Sequence, residues 1–194
     1  MEIVFATSNQ HKMKEVKAIL PSSIHLLSLA DIGFMEEIEE TENTIAGNSI
    51  LKARTIFEKY KIPVLAEDTG LEVFTLNMEP GVYSARYAGE PSDAENNMDL
   101  LLKNMELVTN RSAQFKTVAT FIDRDAYYSF TGVVIGAITQ NKKGNDGFGY
   151  DPIFKPSGFD KVFAELSLTE KSIISHRAIA MNKFANFIKT YQSR

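Results

Sequence analysis

The amino-acid sequence predicts an α/β protein: a long mixed β-sheet flanked by helices, arranged as two lobes with a central cleft within one domain of residues 1–194. Strand-like and helix-like segments alternate through the N-terminal half, the pattern of strands joined by helical crossovers. β-rich runs then follow one another directly, the pattern of hairpin pairing. With 194 residues, 44% hydrophobic and 24% charged, the chain has enough apolar content for a sizeable core.

Residues 2–7 form the first strand, which ends in the polar loop Ser8-Asn9-Gln10-His11-Lys12. Met13, Val16, Ile19 and Leu20 recur at helical spacing and predict a helix over 12–20, ended by Pro21. A short strand over 24–29 follows, then a glutamate-rich stretch over 36–42 that reads mainly as a solvated loop. A long helix over 44–60 takes Ala46, Ile50, Ala53, Phe57 and Tyr60 as its buried stripe, with Lys52 and Arg54 off it. The apolar run 62–66 delivers the chain to Glu67 and Asp68, and Thr69-Gly70 leads into a second apolar run over 71–76. This reads as strand, turn and strand, with Gly70 allowing the turn because it has no Cβ. A helix over 93–107 points Met98, Leu101, Leu102 and Met105 inward. Strands over 113–122 and 127–139 are joined by a turn at 123–125. The tail is helical from Ser167, where Ser167 and Glu170 have capping-box spacing. Ser175 can cap a second helix, with His176 and Arg177 in its first turn.

Composition excludes several classes of function. The formal net charge is −4 and the isoelectric point is near 5.5, which argues against broad nucleic-acid binding. The absence of cysteine removes disulfides and thiolate metal sites. His11, His25 and His176 lack zinc-site spacing. The start of the chain has no signal-peptide pattern, and the longest apolar stretch is too short to span a bilayer. These features predict a soluble cytoplasmic protein without a membrane partner. There is no P-loop, no G-x-G-x-x-G and no D-x-D ahead of a phosphate loop.

Chemistry concentrates in a few strings. Glu67 and Asp68 at the mouth of a buried strand need water, a metal or a cation to compensate them; a hard divalent cation with oxygen ligands would do so. Taken alone, Glu67-Asp68-Thr69-Gly70 is also ordinary turn chemistry. The loop from Thr7 to Lys12, between strand and helix, offers hydroxyls, amides and backbone N–H groups to a phosphate, or a simple helix cap. Lys12 and Lys52 can serve as point charges for phosphate oxygens or as surface lysines. In Gly147-Phe148-Gly149-Tyr150-Asp151-Pro152, two glycines around an aromatic suggest backbone pressed against a flat ligand. Phe148 or Tyr150 can stack on a base there, and Asp151 can accept from a ring N–H. An aromatic turn packed into the core fits the same string. His176 and Arg177 offer donors for a carbonyl or phosphate.

The ordered set of strings resembles the inosine triphosphate pyrophosphatase family, also called Ham1-like. The matching strings are Phe5-Ala6-Thr7-Ser8-Asn9 with Lys12; Glu39-Glu40-Thr41; Asn48 with Ile50-Leu51-Lys52-Ala53; and Ala66 to Gly70. Further along are Pro80 to Tyr87, Gly147 to Phe154, Ala164 to Leu166, Glu170 to Ser172 and Ile174 to Arg177. The resemblance implies a Mg²⁺-dependent, usually homodimeric enzyme that cleaves ITP, dITP and XTP to the monophosphate and pyrophosphate. By position it implies that Thr7, Ser8, Asn9, Gln10, His11 and Lys12 form the phosphate loop. Glu40 and Asp68 match metal ligands, with Asp68 also the proton acceptor. Lys52 matches a phosphate lysine, and Thr69 a substrate contact. Phe148, Gly149, Tyr150, Asp151, Lys171, His176 and Arg177 match the base-binding set, with Arg177 expected on the 6-oxo edge of the purine. Glu67 stands where many members have Asp. The alternatives are a Maf-like pyrophosphatase of other specificity and a non-catalytic nucleotide-binding module.

Overall fold

The computed structural model describes residues 1–124 and 126–191. The elements are β1 (Glu2–Phe5), α1 (Gln10–Ile19), β2 (His25–Leu27), α2 (Ile45–Tyr60), β3 (Val64–Val73), β4 (Pro80–Gly81) and α3 (Ala94–Asn104), followed by β5 (Ser112–Asp123), β6 (Ala126–Ile138), β7 (Phe154–Pro156), α4 (Leu168–Ile174) and α5 (His176–Tyr191). The strands form a seven-stranded sheet in the order β2-β1-β3-β5-β6-β7, with β4 on β3. β1 pairs parallel with β2 and β3, whereas β3–β4 and β6–β7 are antiparallel, so the sheet is mixed as expected. The expected turn over 123–125 includes Asp125, which lies outside the described residues.

Helix starts follow local side-chain chemistry. Asn9, Thr44, Asp93 and Ser167 each stand at an N-cap and accept from the backbone N–H three residues on. Ser167 and Glu170 form the reciprocal box that their spacing predicted. Asn9 starts α1 earlier than the apolar periodicity suggested, because its carboxamide caps the Lys12 N–H at 3.1 Å. Ser175 closes α4 as its C-cap, and His176 and Arg177 open α5.

The chain divides into two compact units. The first holds residues 1–68, 117–132 and 177 onward; the second holds 69–116 and 133–176. In the first unit, side chains alternate between the two faces of the strands. Ile3, Phe5 and Leu65 join Met13 and Val16 of α1 and Ala180, Met181 and Phe184 of α5 in one apolar cluster. Val4, Ala6, Val64 and Ala66 join Ala53, Ile56 and Phe57 of α2 in another. The second unit packs Leu71, Val73, Met98, Leu101, Phe115, Phe154 and Phe163 into its own core.

Two expectations need correction. β3 is one continuous strand through Glu67, Asp68, Thr69 and Gly70, so Gly70 does not make a turn. The acids stay in a strand because cations on both faces compensate them, as described below. The buried stripe of α2 is Ile45, Asn48, Ser49, Lys52, Ala53, Ile56 and Phe57. Lys52 lies on this stripe, and Ala46 is exposed. A purely apolar criterion misses the stripe because its polar members are matched by polar partners: Ser49 Oγ bonds Thr120 Oγ1 at 2.8 Å.

The cluster around Phe121 tests the packing of the first unit. Its ring is fully buried, with Phe184 at 5.3 Å and Tyr191 at 5.8 Å between centroids. Phe121→Ala should cost about 3–5 kcal/mol in a urea unfolding curve. A loss below about 1 kcal/mol would show that neighbouring rings close the gap.

Candidate active site

Strand alternation sends Glu67 and Asp68 to opposite faces of β3, and each meets a different set of charges. Glu67 lies on the face of α1 and α5. Arg177 Nε donates to Glu67 Oε2 at 2.9 Å and Nη2 to Oε1 at 3.0 Å, a two-pronged pairing. Lys12 Nζ approaches the same Oε1 at 3.0 Å, and Arg177 Nη1 donates to Glu15. Lys12 and Glu15 are three residues apart on α1, so they share a face. Arg177 and Glu67 are each 1% exposed. Burial would raise the Glu67 pKa, but Arg177 and Lys12 outweigh it and hold the carboxyl well below the usual range. Burial would likewise lower the Arg177 pKa, but Glu67 and Glu15 more than reverse this.

Asp68 lies on the face of α2. Lys52 Nζ donates to Asp68 Oδ1 at 2.9 Å and to Glu40 Oε1 at 2.7 Å. Burial pushes the Asp68 carboxyl above its ordinary value, and Glu40 adds to this against the pull of Lys52 and Lys12. Burial would lower the Lys52 ammonium, but Asp68 and Glu40 hold it above its ordinary value. Glu40 and Asp68 thus converge on the Lys52 ammonium. Asp68 Oδ2 is buried and accepts no hydrogen bond among the described residues. That orphaned oxygen and the converging carboxylates suit a hard cation. No group of three or more His, Asp or Glu among the described residues is arranged to hold a metal. A cation on Glu40 and Asp68 would therefore complete its shell with water or phosphate oxygens, a habit of Mg²⁺.

The Thr7 to Lys12 stretch is the capped start of α1. Thr7 Oγ1 accepts from the Asn9 N–H at 3.2 Å, and Ser8, Gln10 and His11 are exposed there. Lys12 is committed to Glu67 rather than extended into solvent.

In the second unit the glycine-flanked aromatic string forms a tight turn. Gly147 and Gly149 have φ of +79° and +62°. A Cβ on Gly147 would collide with the Asp151 carboxylate, so only glycine fits. Asp151 Oδ2 accepts from the Phe148 N–H at 2.8 Å and from Lys171 Nζ at 2.6 Å. The Lys171 ammonium sits 5.1 Å from the centroid of the half-buried Phe148 ring. His176 stacks on Phe115 at 4.5 Å and is buried. Thr69 is half-buried in β3.

Several of these residues also make contacts within the protein. Tyr150 is a core residue whose hydroxyl donates to Ser84 O at 2.9 Å, which leaves Phe148 as the stacking candidate. Asp151 fixes its own turn and Lys171. Arg177 directs its guanidinium fork at Glu67 and Glu15. Sequence reasoning missed Glu15 and gave no role to Asn48. Glu15 was detectable as an acid between Met13 and Val16 on the apolar face of α1. Asn48 was detectable as a polar residue one turn before Lys52.

Together these features define an α/β protein with a buried carboxylate–lysine centre. The chain belongs to the Ham1 family, which matches it over residues 3–187. A dITP/XTP pyrophosphatase of Flavobacterium johnsoniae is 53% identical over 188 residues, covering 97% of this chain and 98% of that protein. A dITP/XTP pyrophosphatase of Thermoanaerobacter pseudethanolicus is 45% identical, covering 97% and 96%. The Ham1 protein of Staphylococcus aureus superposes with a TM-score of 0.90 at 41% identity, covering 98% of this chain and 100% of that one. A Coxiella burnetii HAM1 protein gives 0.90 at 34% identity, covering 98% and 99%. The resemblance and the α/β fold expected from the sequence are both borne out.

Glu67→Gln should destabilise the protein by about 3–5 kcal/mol at neutral pH, because it leaves Arg177 buried with less than its full counter-charge. The Glu67 pKa is depressed on folding, so its stabilisation is fully present above its ordinary value of 4.5 and is lost as pH falls below it. The gap between wild type and variant in urea unfolding should therefore narrow from pH 7 to pH 3. A constant gap would show that the carboxylate charge contributes nothing.

Proposed function

We propose that this protein hydrolyses deaminated purine nucleoside triphosphates, ITP, dITP and XTP, to the monophosphate and pyrophosphate. The observation that carries the reading is the Asp68–Lys52–Glu40 centre, with its uncommitted Asp68 oxygen, in a chain 53% identical to a dITP/XTP pyrophosphatase. The Maf-like and non-catalytic alternatives are not favoured, because the relatives are dITP/XTP pyrophosphatases along essentially their whole length.

Phosphoryl transfer needs positioning and charge neutralisation more than covalent chemistry. Glu40 and Asp68 would hold Mg²⁺, which would supply charge neutralisation at the phosphates and acidify a bound water. Lys52 keeps both carboxylates turned towards one another and carries positive charge to the phosphates. Asp68, raised by burial, is suited to accept a proton from water. The capped N-terminus of α1 offers the N–H groups and dipole that favour a phosphate. For base recognition the candidates are the Phe148 face, which can stack on a purine, and the Lys171 ammonium, which can supply a donor. Hypoxanthine and xanthine present a 6-oxo acceptor where adenine presents an amino donor, so a cationic donor selects against ATP. His176 and Asp151 hold this segment in shape. Arg177 supports Glu67 and Lys12 from within the core. Mg²⁺ as the metal, a homodimeric state and a cytoplasmic location belong to the same proposal.

Incubation with a nucleotide panel and Mg²⁺, scored for pyrophosphate against orthophosphate, tests the class. Pyrophosphate from ITP, dITP and XTP with little from ATP is expected; orthophosphate alone, or no metal-dependent release, would overturn it. Asp68→Asn should lower kcat about 10²–10⁴-fold with a smaller change in nucleotide affinity. Near-normal kcat at saturating Mg²⁺ would remove Asp68 from the proton-acceptor role. Glu40→Gln should raise the Mg²⁺ concentration for half activity, whereas Glu36→Gln and Glu37→Gln, on exposed residues of the same loop, should not. Equal effects from all three would reduce the loop to diffuse charge.

A further inference from the structure

Asn48 is fully buried on α2, one helical turn before Lys52 and on the same face. Its Oδ1 accepts from the Glu42 N–H at 3.0 Å. Lys52 Nζ meanwhile holds the Glu40 side chain. One face of α2 therefore grips the acidic loop twice, through the backbone at residue 42 and through the carboxylate at residue 40. Ser49, next to Asn48, reaches towards Ala66 O at 3.5 Å, and Lys52 reaches Asp68, so this face runs along β3 at residues 66–68.

The choice of asparagine has a physical reason. The Glu42 N–H needs an acceptor, but a carboxylate there would add a third negative charge beside Glu40 and Asp68. A carboxamide accepts without charge and brings N–H donors as well. Asn48 Nδ2 is buried and has no hydrogen-bond partner among the described residues, and the same is true of Asp68 Oδ2. One is a donor and the other an acceptor, and both lie along the face that α2 turns towards β3.

We propose that Asn48 is a positioning residue of this site. Its Oδ1 fixes the acidic loop so that Glu40 faces Lys52 and Asp68. The inference rests on the pyrophosphatase reading for its use, but its geometry can be tested without turnover. In Asn48→Ala, hydrogen exchange at the Glu42 amide should quicken at least tenfold. Mg²⁺ titrated into the nucleotide-free protein should bind about 10- to 100-fold more weakly, the scale of lost outer-shell support. The Mg²⁺ needed for half activity should rise by a similar factor, with kcat at saturating metal changing less. Asn48→Asp retains the acceptor and should keep the Glu42 amide protected; it also stands in if the alanine variant fails to fold. Unchanged exchange and metal affinity in Asn48→Ala, or lost protection in Asn48→Asp, would overturn the clamp. If the wild type released no pyrophosphate, the functional reading would fail while the exchange result still judged the clamp.

Discussion

Much in this molecule depends on how β3 buries two consecutive carboxylates. Removing an ionised group from water costs several kcal/mol even after relaxation, unless charge and hydrogen bonds are returned to it. Strand alternation solves half the problem by sending Glu67 and Asp68 to opposite faces, where they do not share one low-dielectric pocket. Cations from α1 and α5 compensate Glu67, and Lys52 of α2 compensates Asp68. A strand that would otherwise break at its acids therefore continues through Gly70 to Val73.

The two faces are balanced differently. Around Glu67, Arg177 pairs with the carboxylate by two prongs, Lys12 approaches it as well, and Arg177 also reaches Glu15, so the carboxylate is held from several directions. Around Asp68, Glu40 and Asp68 share the Lys52 ammonium, and Asp68 Oδ2 accepts no hydrogen bond among the described residues. Densely paired networks confer rigidity, whereas an unsatisfied oxygen beside a second carboxylate is a place to receive a cation or a proton. This difference is why the proposed chemistry is put on the Asp68 face and structural support on the Glu67 face.

The second unit solves a smaller version of the same problem. Asp151 is buried, and it is compensated by the Lys171 ammonium and the Phe148 N–H. The glycine at residue 147 leaves room for that carboxylate. The turn therefore presents one partly exposed aromatic ring next to a buried cation, while Tyr150, two residues on, anchors it to the core.

Much of the secondary structure was legible in the sequence, because caps and periodicity are local. Asn9, Thr44, Asp93 and Ser167 act on backbone groups a few residues away, and the β-rich runs after residue 112 announce themselves by composition. The identity of the charged and aromatic residues was legible too, as was the family that their order resembles. Their partners were not. That Glu67 belongs to Arg177, 110 positions away, is decided by which helix covers which face of β3. Lys52 looked like a surface lysine because nothing within a few residues of it shows that Glu40 and Asp68 converge on its ammonium. Tyr150 and Phe148 are equivalent as letters, and only the surrounding core separates the buried ring from the half-exposed one. The sequence by itself determined which residues can carry charge and where most helices begin. Tertiary structure decided which charges meet, because pairing energies fall steeply with distance and the chain brings distant groups within 3 Å only once it has folded.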